Sequence, residues 1–137
     1  METEHDLKLE LLTINTINRL WNCESVKLPN HQRLDFALLQ RGEIKAFVEI
    51  KCRTFESTRY KDTMLHLDKV MAARDLTFHT NIPAFLVVRW TDVIGFVNFN
   101  ADFRTEIGGR VDRGLERDFG LMAKIAIVDF SMLEAVK

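Results

Sequence analysis

Proline and cysteine each occur only twice in the 137 residues, and glycine six times. So little proline and glycine excludes a collagen-like chain or a flexible linker. Two cysteines, Cys23 and Cys52, cannot form a disulfide framework, and with only four histidines a zinc cluster is not expected. The cysteines read as inert thiols in a reducing, cytoplasmic setting. No apolar run nears the ~20 residues of a membrane span, so a membrane partner is not expected. The N-terminal METEHDLKLE is acidic and lacks the pattern of a secretory leader. There is also no excess of one charge: 19 Lys and Arg stand against 20 Asp and Glu, for a net charge of −1. That neither demands nor excludes a nucleic-acid partner, because a neutral total can conceal a basic face.

What is present is core material. Apolar residues make up 47% of the chain, with ten Phe and two Trp, enough aromatic area to argue against disorder. No repeat or linker divides the sequence, so one domain over residues 1–137 is expected. Residues 6–22 read as an amphipathic helix with Leu7, Leu11, Ile14, Ile17 and Trp21 on one stripe. A polar connector follows at 27–32. Residues 33–40 and 44–53 read as a β-hairpin joined at Arg41-Gly42-Glu43. Residues 63–80 read as a second helix stopped by Asn81-Ile82-Pro83. Residues 84–90 and 93–99 form a second hairpin, and 100–120 an arginine-rich loop. A strand at 124–130 and a short tail complete the chain. The expectation is an α/β fold with a mixed central sheet flanked by helices.

The first hairpin carries a chemical pattern. One face holds Leu34, Phe36, Leu38, Ile44, Ala46, Val48 and Ile50, all apolar. The other holds Arg33, Asp35, Ala37, Leu39, Lys45, Phe47, Glu49 and Lys51, apolar near the turn and charged at the open end. Side chains alternate along strands, so register follows from the loop. A three-residue loop, or an equivalent bulge, places Asp35 opposite Glu49 and Arg33 opposite Lys51. A two-residue loop alone would mix the apolar and charged faces. Two carboxylates about 5 Å apart at Cβ repel one another. A divalent cation relieves that repulsion, and hard oxygens suit Mg²⁺ or Mn²⁺. Lys51 projects on the same side, where an ammonium can orient water or neutralise phosphate charge. Glu10 lies within the apolar stripe of the first helix and needs a partner; it is a third candidate ligand, with Glu4 at the stripe's edge a weaker one.

Asp35, thirteen intervening residues and then Glu49-Ile50-Lys51 resemble the PD-(D/E)XK nuclease superfamily. The order of helix-borne Glu, Asp-bearing hairpin and Glu-x-Lys is similar to its small phage-type and Holliday-junction-resolvase-like members. Leu34 stands where the pattern often has proline. The resemblance implies a restriction-endonuclease-like αβββαβ core and Mg²⁺-dependent hydrolysis of phosphodiester bonds. It implies Asp35, Glu49 and the backbone carbonyl of Ile50 as metal ligands, and Lys51 as the catalytic lysine. DNA is the implied substrate, and junction-type relatives make a homodimer possible. A phage-encoded protein of this kind would work in the host cytoplasm. The rival expectation is a silent nucleic-acid-binding module on the same fold.

Arg33, Arg53, Arg59, Lys61 and Lys69 are candidate nucleic-acid contacts. A basic run interleaved with Tyr60 can track phosphates and stack a base. Arg104, Arg110, Arg113 and Arg117 alternate with acids, which favours an ordinary charged loop. His31, His66 and His79 share no ligand spacing.

Overall fold

A computed structural model describes residues 3–29, 32–109 and 119–136. Helix α1 (Glu4–Leu20) opens on a capping box, in which Thr3 Oγ1 accepts the Asp6 N–H and Asp6 Oδ2 accepts the Thr3 N–H, both at 3.1 Å. Of its apolar stripe, Ile14 and Ile17 are buried, whereas Leu7 and Leu11 remain 47% and 58% exposed. The expected stripe is therefore right in phase but covered only along its second half.

A short strand β1 (Glu24–Lys27) pairs antiparallel with β2 (Phe36–Gln40), which pairs antiparallel with β3 (Glu43–Cys52). The β2–β3 turn is the tight Arg41-Gly42 pair, with φ of +52° and +77°, the left-handed pair that a two-residue hairpin needs. Gln40 faces Glu43 and Leu39 faces Ile44. The register then shifts, so that Leu38 faces Ala46 and Phe36 faces Val48. Lys45 is the extra residue of this bulge. Continued outward, the shifted register sets Asp35 level with Glu49, the relation expected from the face pattern.

Strand geometry stops short of the expected start, however. Residues 32–35 form a bend outside the strand, with only Asp35 keeping backbone bonds to its neighbours, so Arg33 is not a ladder partner of Lys51. Leu34 turns away from Phe36 and joins Phe47 in the opposite apolar cluster.

Strand β4 (Asp62–His66) replaces what the sequence suggests is the first turn of the second helix. Its Thr63 and Leu65 alternate inward against β8 (Phe119–Ala126). Helix α2 (Leu67–Thr80) follows and ends at Asn81, whose φ of +60° and N–H bond to Thr77 O close it. β5 (Ala84–Arg89) lies parallel to β3, and β6 (Val93–Asn98) returns antiparallel to β5. The arginine-rich stretch is not a plain loop. β7 (Arg104–Gly109) pairs with β8, with Arg104 bound to Asp62 and Glu106 to Lys124. After a 3₁₀ turn at Ile127–Asp129, the expected tail forms edge strand β9 (Ser131–Ala135).

The strands form a six-stranded mixed sheet, β1-β2-β3-β5-β6-β9, and a three-stranded sheet, β4-β8-β7. α1 covers one face of the large sheet, its Ile14 and Ile17 packing on Phe36, Leu38, Val48, Ile50 and Val87. α2 and the small sheet cover the other, around Phe47, Leu86, Val88, Val70, Ala123 and Ile125. Even-numbered residues of β3 thus face α1, and odd-numbered residues beyond the bulge face α2.

Gly42→Ala should destabilise by about 1–2 kcal/mol through left-handed backbone strain. A Cβ there meets nothing within 4 Å, so no clash is added. Urea denaturation measures the loss, and an unchanged midpoint would contradict the turn geometry.

Candidate metal centre

Beyond Phe47, the alternation of β3 delivers Glu49 and then Lys51 to the α2 side. Glu49 is only 3% exposed, while the Lys51 side chain reaches the rim at 37%. Glu49 Oε2 lies 3.4 Å from Lys51 Nζ, and Oε1 lies 3.5 Å from Lys69 Nζ on α2. Among the described residues Oε1 nevertheless has no hydrogen-bond partner, and the Lys69 ammonium beside it donates to the carbonyl of Arg33. Burial pushes the Glu49 carboxyl up to about 7; the nearby charge of Asp35 adds to the rise, and the two ammoniums oppose it.

Asp35 is half-buried just before β2. Its Oδ2 accepts the Ile50 N–H at 2.8 Å, and its own N–H donates to Val48 O at 3.1 Å. The side chain thus takes the place of a strand acceptor beyond the end of β2. It is tied to the peptide between Glu49 and Lys51. Asp35 is thereby close enough for its charge to act on Glu49, whose carboxylate Lys51 meets at 3.4 Å.

This donor set fits a hard divalent cation. A buried carboxylate oxygen without a partner is costly, and a second carboxylate lies beside it. Mg²⁺ commonly takes only one or two protein carboxylates and completes its shell from water and phosphate. Among the described residues, no three His, Cys, Asp or Glu converge to form a larger ligand cluster.

Glu10 is accordingly not brought to the pair. It lies on α1, which packs on the Val48 and Ile50 face, and its carboxylate pairs with Lys27 of β1. The partner its half-buried position calls for is that lysine. Arg53 also departs from expectation: its guanidinium turns inward and donates to Met64 O at 2.9 Å, and burial lowers its pKa. It is not presented to a ligand. Arg33 remains at the surface, 3.2 Å from Asp68 Oδ2. Arg59 is exposed over the Tyr60 ring, 5.7 Å from its centroid, and Lys61 is exposed nearby. Arg110, Arg113 and Arg117 lie outside the described residues, as does His31. Asp68, which holds Arg33, was not singled out by sequence; nothing in the local pattern links positions 33 and 68.

Residues 1–133 match the profile of a family described as phage putative PDDEXK endonuclease. No curated protein matches the chain significantly. Among solved structures the chain is similar to Hjc, a Holliday junction resolvase from the archaeal hyperthermophile Archaeoglobus fulgidus. The identity is 13%, over 83% of this chain and 80% of that one, with a TM-score of 0.53. That likeness is one of fold, and it bears out the expected restriction-endonuclease-like α/β core.

The raised Glu49 pKa has a defined sign for the metal-free protein. The folded state holds this proton up to about pH 7, whereas an unfolded Glu releases it near 4.3. The ionised side chain therefore weakens the fold, a penalty that is absent below about pH 4, grows through pH 4–7 and is full above it. Glu49→Gln should be more stable than wild type at pH 8 by roughly 3 kcal/mol. The difference should vanish near pH 4. Denaturation of both proteins across pH checks this, and a gap that widens toward acid would refute it.

Proposed function

The chain belongs to the phage putative PDDEXK endonuclease family, and from that premise we propose that it is a Mg²⁺-dependent endonuclease of DNA. The observation that carries the metal reading is the buried Oε1 of Glu49, which has no hydrogen bond among the described residues and lies near the charge of Asp35. Asp35, Glu49 and the backbone carbonyl of Ile50 would hold the ion, and Mn²⁺ would substitute for Mg²⁺. A divalent ion there supplies Lewis-acid polarisation of the scissile phosphate and acidifies water.

The chain's own groups supply the rest. Asp35, fixed by the Ile50 N–H, gives the site a rigid edge. Lys51 sits at the rim with its ammonium 3.4 Å from Glu49. From there it orients the attacking water and offsets charge growing on the phosphate oxygens. Arg33, Arg59 and Lys61 are exposed cations suited to phosphate contacts, and Tyr60, 56% exposed, offers a stacking face. An acid–acid–lysine set at one mouth speaks for turnover rather than silent binding.

Supercoiled plasmid should be nicked with Mg²⁺ and left intact with EDTA. Asp35→Asn, Glu49→Gln and Lys51→Ala should each slow nicking by at least ~100-fold while circular dichroism stays unchanged. Wild-type activity in folded Asp35→Asn would end the assignment.

Arg59→Ala should weaken DNA binding evenly across sequences and reduce the salt slope of log K by about 1. Fluorescence anisotropy at several salt concentrations measures it. An unaltered slope would remove Arg59 from the binding surface.

A further inference from the structure

The first polar side chains of α2, Asp68 and Lys69, both grip Arg33. Asp68 Oδ2 meets the Arg33 guanidinium at 3.2 Å, and the Lys69 ammonium donates to the Arg33 carbonyl. Arg33 precedes Asp35 by two residues, in the stretch that bends outside the β2 ladder. The Arg33–Asp68 pair is open to water, at 63% and 72% side-chain exposure, and such pairs contribute little. Lys69 is 27% exposed, and its charge-assisted bond to a carbonyl is the stronger hold. Leu34 anchors the inner side of the same segment in the core. If Lys69 acted only as a counter-ion to Glu49, its ammonium should hydrogen-bond Oε1. It stands 3.5 Å away, an ion pair in which that oxygen has no hydrogen bond among the described residues.

We propose that Lys69 is a positioning residue, which through the Arg33 carbonyl holds the 33–35 segment so that Asp35 stays bonded to Ile50 and beside Glu49. Its consequence for cleavage rests on the metal-centre reading, but the positioning itself is a property of the metal-free protein. It assigns Lys69 a structural grip on the acid pair instead of a contact along the DNA.

The readout is the Ile50 amide, which Asp35 holds. In the metal-free protein, Lys69→Met keeps the side chain's length and removes its ammonium. Hydrogen exchange at the Ile50 amide should accelerate at least tenfold, with the Val87 amide of β5 unchanged, and Lys69→Arg should restore it. Lys69→Gln, also uncharged, is read in the same way should Lys69→Met not fold. Mn²⁺ titrated into the same proteins should bind several-fold more weakly to Lys69→Met, although a positive charge has been removed from beside two carboxylates. A pure counter-ion predicts the reverse: unchanged Ile50 exchange and tighter Mn²⁺ binding. Unchanged exchange at Ile50 overturns the proposal. If wild type neither binds Mn²⁺ nor nicks DNA, the nuclease reading fails while the exchange result still decides what Lys69 does.

Discussion

The molecule is organised around a carboxylate on the inner face of a central strand. Glu49 follows Phe47 into the same cluster side of the sheet and is nearly as inaccessible as the core. An ionised group there loses most of its hydration. Two ammoniums within 3.5 Å return part of that energy, but the Asp35 charge subtracts from it, and one oxygen has no hydrogen bond among the described residues. An apolar or amide side chain would serve the fold better. Costs of this kind persist where the arrangement has another use. The surroundings are built to keep the acid in place: β5 in parallel ladder on one side, Asp35 on the other, and α2 above.

The geometry that brings the acids level depends on one surplus residue. A two-residue turn by itself sets Asp35 opposite Val48 and puts the acids on different faces. Lys45, inserted after the turn, moves the rest of the ladder by one and restores the pairing. The bulge lies at the exposed turn end, where an unpaired residue meets solvent and costs little. Its effect is felt at the other end of the hairpin, because a strand transmits a change of register along its whole length. Bulges close to functional sites commonly re-aim side chains; here the re-aiming acts from a distance.

This is why the centre of the molecule was legible in the sequence and its margins were not. Alternation through residues 36–51 is strong, and one face being wholly apolar leaves a single workable register, whichever loop achieves it. The strands that escaped notice are short or at an edge. β1 offers only Val26 as an apolar strand former, and β9 lies where a tail was expected. β4 was absorbed into the second helix because Leu65 and Leu67 fit a helical stripe as readily as a strand. β7 looked like a loop because its outward side chains, Arg104 and Glu106, make ion pairs with Asp62 and Lys124. Local pattern carries no record of partners that distant. The same limit applies to Arg53, whose inward turn toward Met64 O is a tertiary event.

Glu10 and Lys69 show where a stricter use of the same alternation would have served. A polar residue on an apolar helical stripe does call for a partner, and Glu10 has one in Lys27. Which helix can reach the acid pair, however, is settled by parity. Val48 and Ile50 go to one face of β3, and Glu49 and Lys51 go to the other. The helix whose apolar residues pack on Val48 and Ile50 is the wrong one, and α1 is that helix. The element covering Phe47 is therefore the one that can touch Glu49, and the crossover between the parallel strands β3 and β5 puts α2 there. The second cation beside the buried acid, Lys69, comes from α2 for the same reason that Glu49 is buried: both follow from the side of the sheet on which odd-numbered residues fall.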